Sequence, residues 1–434
     1  MVYIICPANI QSGGPELLHQ LGYKLNILGI EASMYYMNKK GGLDPVCEAY
    51  RKYNVPYSDT ISEDADTVII IPETGLHLLN FVNNFKCVIW WMSVDYAMCG
   101  DEKIDYIKKS SNVYHLVQSQ YALEFLNDNL KIKDRVFYLS DYLNSVFLGS
   151  DLTVEDNERE NIVVFNPKKG ANATANVIFS SDYRIKWQAL RGLTPDKMRE
   201  TLRKAKVYID FGEHPGKDRI PREAAMCGCC IITNRNGSAA NDIDVPIADT
   251  YKFDNNVSPK LVVQCINDIF ENYSEKKKDF IPYVNKISNE FIEFEKDIVK
   301  FFINYMLGID FEFEQPEQYI EKILFEVGNE NYRVALLYLI GYRIRGYEES
   351  VTIDIIETVI RMGIGEYSEA EVCALRGLKK EPQNYELYFN LAQIGFITKD
   401  ANKLMVYKEK AVQYSKGTSD ECYIQEVVSG LKIE

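Results

Sequence analysis

Short runs of β-branched and aromatic residues alternate with amphipathic stretches through most of the first 300 residues, and few folds accept such an order. In the first half the spacing predicts strands at 2–6, 33–37, 67–71, 86–91 and 113–118 and helices at 15–28, 102–109 and 120–127. A polar segment, 150–161, offers almost nothing to bury and reads as a linker. Beyond it the pattern resumes: a strand at 161–165, a loop through Gly170, a strand at 184–190, and a helix announced by Thr194, Pro195 and Asp196, which suit a cap, a first helical position and the positive end of the dipole. Strands at 207–211 and 229–233 flank a polar loop, 212–219, and a helix from about 221 to 226, with further helices beyond 258. The expected fold class is therefore α/β, two facing Rossmann-like domains at 1–155 and 156–309.

From about residue 310 strand signals stop and helical periodicity takes over. Tyr367, Ala370, Ala374, Gly377 and Pro382 have the small-residue spacing of a tetratricopeptide helix, Tyr388, Leu391 and Ala392 begin the next, and Gly377 and Ala411 lie one 34-residue repeat apart. Two readings fit 310–434, an all-α helical-repeat module or an ordinary helical bundle; the expectation taken forward is a TPR-like module. Residues 311–434 hold 14 basic and 21 acidic side chains, half of the chain's net charge of −14.

That charge repels polyanions, so nucleic acid is not an expected partner, and anionic lipid is disfavoured except at a local basic patch. No apolar run reaches the roughly 18–20 residues of a membrane-spanning helix, and the first residues read as a strand rather than a secretory signal. With ten scattered cysteines these features place the expected location in the cytoplasm, with peripheral contact to the inner face of a membrane left open.

Chemistry-bearing residues gather where strands end. After the first strand, Gly13 and Gly14 precede a helix that begins at Pro15, a geometry suited to a phosphate or sugar hydroxyl and equally to a plain strand-to-helix turn. The densest polar cluster is 210–223: Lys217 and Arg219 are placed to grip a diphosphate and Glu223 to accept from ribose hydroxyls, with Gly216 and Asp218 as further donor-binding candidates, while the bland alternatives are dipole compensation by Glu223 and a surface pair between Arg222 and Asp218. Lys168 and Lys169 form a second basic loop, readable as a phosphate site or a solvated pair, and Gly237 and Ser238 offer a third. On the opposite side Glu16, His19 and Asp95 are acceptor-side candidates; His19 reads as packed or functional, and Trp90 and Trp91 as core residues or a sugar platform. His115 reads as structural. Cys227, Cys229 and Cys230, among apolar neighbours, read as small buried residues, so no metal site is expected.

On these residues the chain resembles the GT-B glycosyltransferases, in particular the family 4-like retaining enzymes. Gly13, Gly14 and Glu16 match the start of the family's first domain. Residues 207–233 line up without gaps on its donor-binding strand, loop and helix, so that Glu223 falls on the second glutamate of the Glu-x7-Glu motif, Gly216 on its glycine and Gly228 on the glycine ending the helix. Lys169 and Gly170 look like the Lys-Gly of the diphosphate loop, and Gly237 like the glycine of the following loop. The chain departs from the pattern where Pro215 stands in place of the first glutamate, with Glu213 or Asp218 as substitutes, and where the arginine before Lys-Gly is missing, with Arg219 as its replacement. The resemblance covers about residues 1–300.

The resemblance implies a retaining hexosyltransferase that takes a sugar from a nucleotide-diphosphate donor held by the second domain, with no further cofactor and no required metal. The acceptor, a saccharide or lipid-linked molecule, would sit on the first domain, as in surface polysaccharide or glycoconjugate synthesis. The expected catalytic set is Glu223, Glu213, His19 and Asp95. Alternative functions are a sugar-nucleotide epimerase or hydrolase of the same architecture, or a non-catalytic platform whose tail binds a partner. For 310–434 the expectation is a protein partner or self-association.

Overall fold

The computed structural model describes residues 1–39, 41–97, 100–148, 158–311 and 313–433. Most of the predicted linker, 149–157, lies outside the described residues. The chain divides into two compact units, one of residues 1–143 and 154–307, the other of 144–153 and 308–434.

The first unit contains two sheets in which every pairing is parallel. The larger is built from β1 (Val2–Pro7), β2 (Ala32–Met37), β3 (Tyr57–Ser58), β4 (Val68–Pro72), β5 (Lys86–Trp91), β6 (Val113–Val117) and β7 (Val136–Tyr138), in the order β3-β2-β1-β4-β5-β6-β7. Its inner strands are continuous apolar runs because helices cover both faces: Ile4, Ile70, Val88, Ile89 and Leu116 are fully buried. The smaller sheet comprises β8 (Glu160–Phe165), β9 (Lys186–Ala189), β10 (Ala205–Asp210), β11 (Cys230–Asn234) and β12 (Lys252–Phe253), in the order β12-β11-β10-β8-β9. Each sheet reverses its strand order once, between β1 and β4 and between β8 and β10, and open α/β sheets bind ligands beyond the carboxyl ends of strands at such points.

The helices of this unit are α1 (Gly13–Ile27), α2 (Leu79–Val82), α3 (Asp101–Lys109), α4 (Gln120–Glu124), α5 (Ala171–Ser180), α6 (Pro195–Lys204), α7 (Arg219–Met226), α8 (Pro259–Glu271), α9 (Tyr273–Lys276), α10 (Ile281–Ser288) and α11 (Glu290–Ile298). Two differ from the sequence reading. The stretch read as loop after Gly170 is the ten-residue α5; only Thr174 and Val177 of it are buried, so it carries little apolar periodicity. The helix expected over 120–127 is α only to Glu124 and then widens into a π-helical stretch, Phe125–Leu130. Thr194 caps α6 as expected, its side chain accepting from the Lys197 amide. Although it follows the second sheet in sequence, α11 packs on the first: Phe294 lies against Trp90 and Tyr142, the Lys24 ammonium meets Glu295 at 2.7 Å with both side chains fully buried, and the Ser140 amide donates to Asp297.

The second unit is helical. α12 (Pro316–Gly328), α13 (Tyr332–Ile344), α14 (Val351–Ile364), α15 (Tyr367–Lys380), α16 (Tyr385–Ile397), α17 (Ala401–Ser415) and α18 (Glu421–Gly430) pair consecutively as α12 with α13, α14 with α15, and α16 with α17. Small residues let the pairs approach: Ala370, Ala374 and Ala411 are fully buried, and a methyl group on Gly377 would stand 2.6 Å from Leu387. No helix among the described residues is long and apolar enough to cross a membrane.

Candidate functional site

The loops after β1, β4, β5, β6 and β10 enclose a cleft of about 330 Å³. One wall is the N-terminal turn of α1 with Ser12, Gly13 and Gly14; the facing wall is the segment Gly216–Arg219 that leads into α7. These walls nearly touch, since a methyl group on Gly13 would lie 3.4 Å from Arg219 Cδ. The turn before α1 is braced by Tyr50, whose hydroxyl donates to the Ser12 carbonyl at 2.7 Å.

The two halves of the unit meet along a seam behind this cleft. The Val94 amide donates to the Pro215 carbonyl at 3.0 Å, and Gly216 sits so close to β5 that a Cβ would fall 1.7 Å from the Met92 carbonyl oxygen. Gly237, at φ +49°, has its Cβ position 2.0 Å from the His214 carbonyl oxygen, and the Ser238 hydroxyl donates to the Gly216 carbonyl. Gly216, Gly237 and Ser238 therefore serve backbone packing of the loop; Gly216 also lines the cleft, whereas Gly237 and Ser238 do not.

Lys217 does not present its ammonium as the sequence reading expected. It is buried between Asp141 (3.0 Å) and Glu290 (2.9 Å) and donates to Ser140 Oγ. The same two carboxylates hold Arg222, bidentate to Asp141 at 3.1 and 2.6 Å and single to Glu290 at 2.7 Å. The expected surface pair between Arg222 and the Asp218 carboxylate does not form; the Arg222 guanidinium is 2 % exposed, and its Nε donates to the Asp218 backbone carbonyl. Burial opposes charge on Asp141, Lys217 and Arg222, but the mutual attraction outweighs it, holding the Asp141 carboxyl well below and the Lys217 ammonium and Arg222 guanidinium above their ordinary ranges. This closed quartet ties the loop after β7, the loop before α7, and α11 together.

The cations nearer the cleft are less completely enclosed. Arg219 meets Glu16 at 2.5 Å across the cleft and Glu223 at 3.8 Å on its own helix. Glu16 also accepts from Tyr53 and lies 3.6 Å from Lys52; despite burial, Arg219, Lys52 and Tyr53 keep its carboxyl below the usual range. Lys169 meets Asp218 at 2.5 Å. Glu223 lies in the first half of α7, buried, and burial pushes its carboxyl up more than Arg219 and Arg222 pull it down.

Of the residues singled out from sequence, Gly13, Gly14, Gly216, Lys217, Asp218 and Arg219 line the cleft. Lys169 and Glu223 stand one side chain behind it, each joined to a lining residue. Lys168 and Glu213 are exposed elsewhere. Asp95 is exposed and accepts from the Tyr121 hydroxyl. His19 is buried, with both ring nitrogens engaged, Nδ1 with the Pro15 carbonyl at 2.6 Å and Nε2 with the Tyr36 hydroxyl at 2.7 Å, so it holds the first turn of α1 to β2 rather than facing the cleft. Trp90 and Trp91 are fully buried core residues, with indole protons given to the Leu139 carbonyl and to His115 Nδ1.

Sequence reasoning missed Glu73, which lines the cleft and accepts the Met92 and Ser93 amides at 3.0 Å each, fixing the end of β5. Its signal was a lone acid directly after the most apolar strand. Tyr96 and Gln118, also lining residues, carried no sequence signal of their own. Cys227, Cys229 and Cys230 are buried and unpaired, and burial pushes the Cys229 thiol up to about 12. Asp210, His214 and Asp218 form a cluster with potential ligand atoms within 4.8 Å of one another, yet Asp210 already accepts from Tyr208 and Gly212, and Asp218 from His214 and Lys169.

No protein-family model and no curated protein matches the sequence. Solved structures do. HepE of Anabaena (Alr3699), crystallised in complex with UDP-glucose, superposes with a TM-score of 0.51 at 9% identity over 69% of this chain and 98% of its own. Sucrose-phosphate synthase of Thermosynechococcus elongatus superposes with a TM-score of 0.51 at 11% identity over 71% of this chain and 99% of its own. The fold is GT-B. The Gly13–Gly14 turn after β1 and Arg219 at the start of α7 oppose each other across the cleft.

Proposed function

We propose that this chain is a glycosyltransferase that moves a hexosyl unit, with retention, from a nucleoside-diphosphate sugar to a saccharide or lipid-linked acceptor. The observation that carries the reading is the facing of Arg219 at the start of α7 and the glycine turn of α1 across a cleft of about 330 Å³. In glycosyl transfer the bond from the anomeric carbon to the diphosphate breaks, the diphosphate oxygen keeps the electron pair, and an oxocarbenium-like centre develops. Fixed cations and helix-terminal amides aimed at the leaving oxygens stabilise that charge without reorganising. Arg219 and Lys169 are the cations so placed, and Glu223 is the carboxylate assigned to the donor's ribose. Glu73 holds the acceptor-side floor by gripping the end of β5. The superposition on a UDP-glucose complex supports this reading and puts UDP first among nucleotides to try.

The experiment is a thermal-shift series with UDP, GDP, CDP, dTDP and ADP, each with and without a divalent metal. A nucleotide at about 100 times its dissociation constant adds roughly 2.7 kcal/mol to stability. Stabilisation by one of them, followed by transfer from its sugar to an acceptor, is the expected result; no shift with any would overturn the reading. We further assign 1–155 to the acceptor side, 156–309 to the donor side and 310–434 to a TPR-like module for a protein partner or self-association. Removal of 311–434 should then change the oligomeric state or complex formation.

A further inference from the structure

Behind the cleft a chain of alternating charges runs through the second domain: Asp210 at the end of β10, His214, Asp218 before α7, and Lys169 in the loop after β8. His214 Nδ1 lies 2.7 Å from Asp218 Oδ2, the other Asp218 oxygen takes Lys169 Nζ at 2.5 Å, and His214 Nε2 faces Asp210 Oδ1 at 3.9 Å. His214 is 2 % exposed and adopts a left-handed backbone conformation, φ +45°, so the loop is bent to bring the ring between two carboxylates.

Resting on the glycosyltransferase reading, we infer that His214 is a positioning residue that sets how much of the Lys169 charge reaches the donor diphosphate. With the ring protonated, the four groups sum to zero and Asp218 is shared between two cations. With the ring neutral, the set carries one net negative charge beside an anionic ligand, and Asp218 draws Lys169 back. His214 Nε2 has no hydrogen-bond partner among the described residues. A small turn of the ring toward Asp210 would satisfy it in the charged form.

The other charged groups around the ring do not supply this balance. Lys217 and Arg222, on the same small cavity as His214, are neutralised by Asp141 and Glu290. Asp244 accepts the Gln120 and Tyr121 amides, and the Tyr208 hydroxyl donates to Asp210. Burial by itself disfavours the imidazolium, but the Asp218 hydrogen bond and the two carboxylates outweigh it, so the ring titrates above its ordinary value. Charge on the ring is thus complete below the usual histidine range and is lost as pH rises through the raised value.

The test is calorimetric binding of a nucleotide sugar by the full chain between pH 5.5 and 8. UDP-glucose is the first probe, with ADP-glucose and GDP-mannose next. A nucleotide sugar is preferred to the free diphosphate because its bridging diphosphate does not titrate in this interval. Wild-type affinity should fall about tenfold across the interval, the equivalent of one unit of pKa. His214→Asn keeps a donor toward Asp218 without the charge and should bind weakly at all pH values with a flat profile. His214→Gln provides a second variant if Asn at this backbone position fails to fold, with a thermal melt as the check. Adding Lys169→Met to either should cost little more than each change alone. Binding whose pH profile is unmoved by the histidine substitutions, or strictly additive effects with Lys169→Met, would overturn this inference and leave the glycosyltransferase reading standing. Absence of binding for any nucleotide sugar at any pH would instead overturn that reading, and this inference with it.

Discussion

Buried charge is used in opposite ways by the cleft and by the helical tail. In the tail, Glu357 is fully buried and takes three guanidinium groups: Arg343 at 2.6 Å, Arg361 at 2.7 Å and Arg376 at 2.6 Å. Arg361 continues to Glu366 and Arg376 to Asp354, so α13, α14 and α15 are joined by one saturated network. At the cleft and just behind it, Arg219 and Lys169 remain about a fifth to a quarter exposed, and each is held by one close carboxylate, Glu16 and Asp218 respectively. A carboxylate that is fully buried and shared by three arginines fixes a packing arrangement; on the proposed reading, a single pair at the cleft instead stores a cation until a competing anion arrives. The Asp141, Lys217, Arg222 and Glu290 quartet belongs with the tail in this respect, although it stands beside the cleft.

The comparison breaks most visibly at Glu357. Replacing it by Gln leaves two buried arginines and a partly exposed third without the carboxylate they share, and breaking a buried ionic network from one side costs about 3–5 kcal/mol. Denaturant unfolding should show that loss, while nucleotide affinity measured under native conditions stays within a factor of two. A network that tolerated Glu357→Gln without loss would remove the distinction between the two regions.

Arg219→Ala should behave in the reverse sense. On the proposed reading it removes a charge-assisted contact to the diphosphate of about 1.5–3 kcal/mol, which corresponds to affinity weaker by roughly ten- to a hundredfold. Glu16 keeps Lys52 and the Tyr53 hydroxyl as partners when Arg219 is removed, so stability should change less than at Glu357. Titration with the nucleotide that stabilises the wild type reads the first effect and a melting curve the second; a stability loss with unchanged affinity would class Arg219 with the tail arginines.

Asp297 of α11 provides a pH-dependent case. Burial raises its carboxyl to about 6 although it accepts the Ser140 amide. A carboxyl raised on folding holds its proton more tightly in the native state, so its stabilising share is complete below the unfolded value near 4 and is lost as pH rises to about 6. Asp297→Asn keeps an acceptor for Ser140 and should stabilise the chain on the order of 2 kcal/mol at pH 7.5. The gain should shrink markedly at pH 4.5, as melting at the two pH values would show.

How much of this the sequence disclosed depended on the range of the interactions involved. The strands were legible because continuous apolar runs such as Val68–Pro72 admit little else, and the glycine turn and the Gly216 loop were legible as short local motifs. α5 was not, because Ala171–Ser180 buries only two side chains and has no apolar stripe to read. The fate of Lys217 and Arg222 was not legible either: their partner Asp141 lies 76 positions from Lys217 and 81 from Arg222, and the choice between gripping a ligand and closing a seam is made by tertiary packing alone. Glu73 was passed over for a similar reason, since the amides it holds belong to a strand end 19 and 20 residues away.

The finest test of the comparison is Glu16→Gln. Glu16 binds Arg219 from across the cleft, so on the proposed reading a donor diphosphate must displace a carboxylate before it gains the guanidinium. The substituted amide keeps the size and an acceptor for the Tyr53 hydroxyl but withdraws the competing charge. Partly exposed ion pairs contribute about 1 kcal/mol or less, so the nucleotide should bind a few-fold more tightly, with a steeper loss of affinity as salt is raised, since the added attraction is what salt screens. Arg219→Ala and Glu16→Gln should be non-additive, because the carboxylate acts on the ligand only through that arginine. If Glu16→Gln instead weakens binding, Glu16 touches the ligand directly, and the pair across the cleft is a permanent part of the site rather than a cation held in reserve.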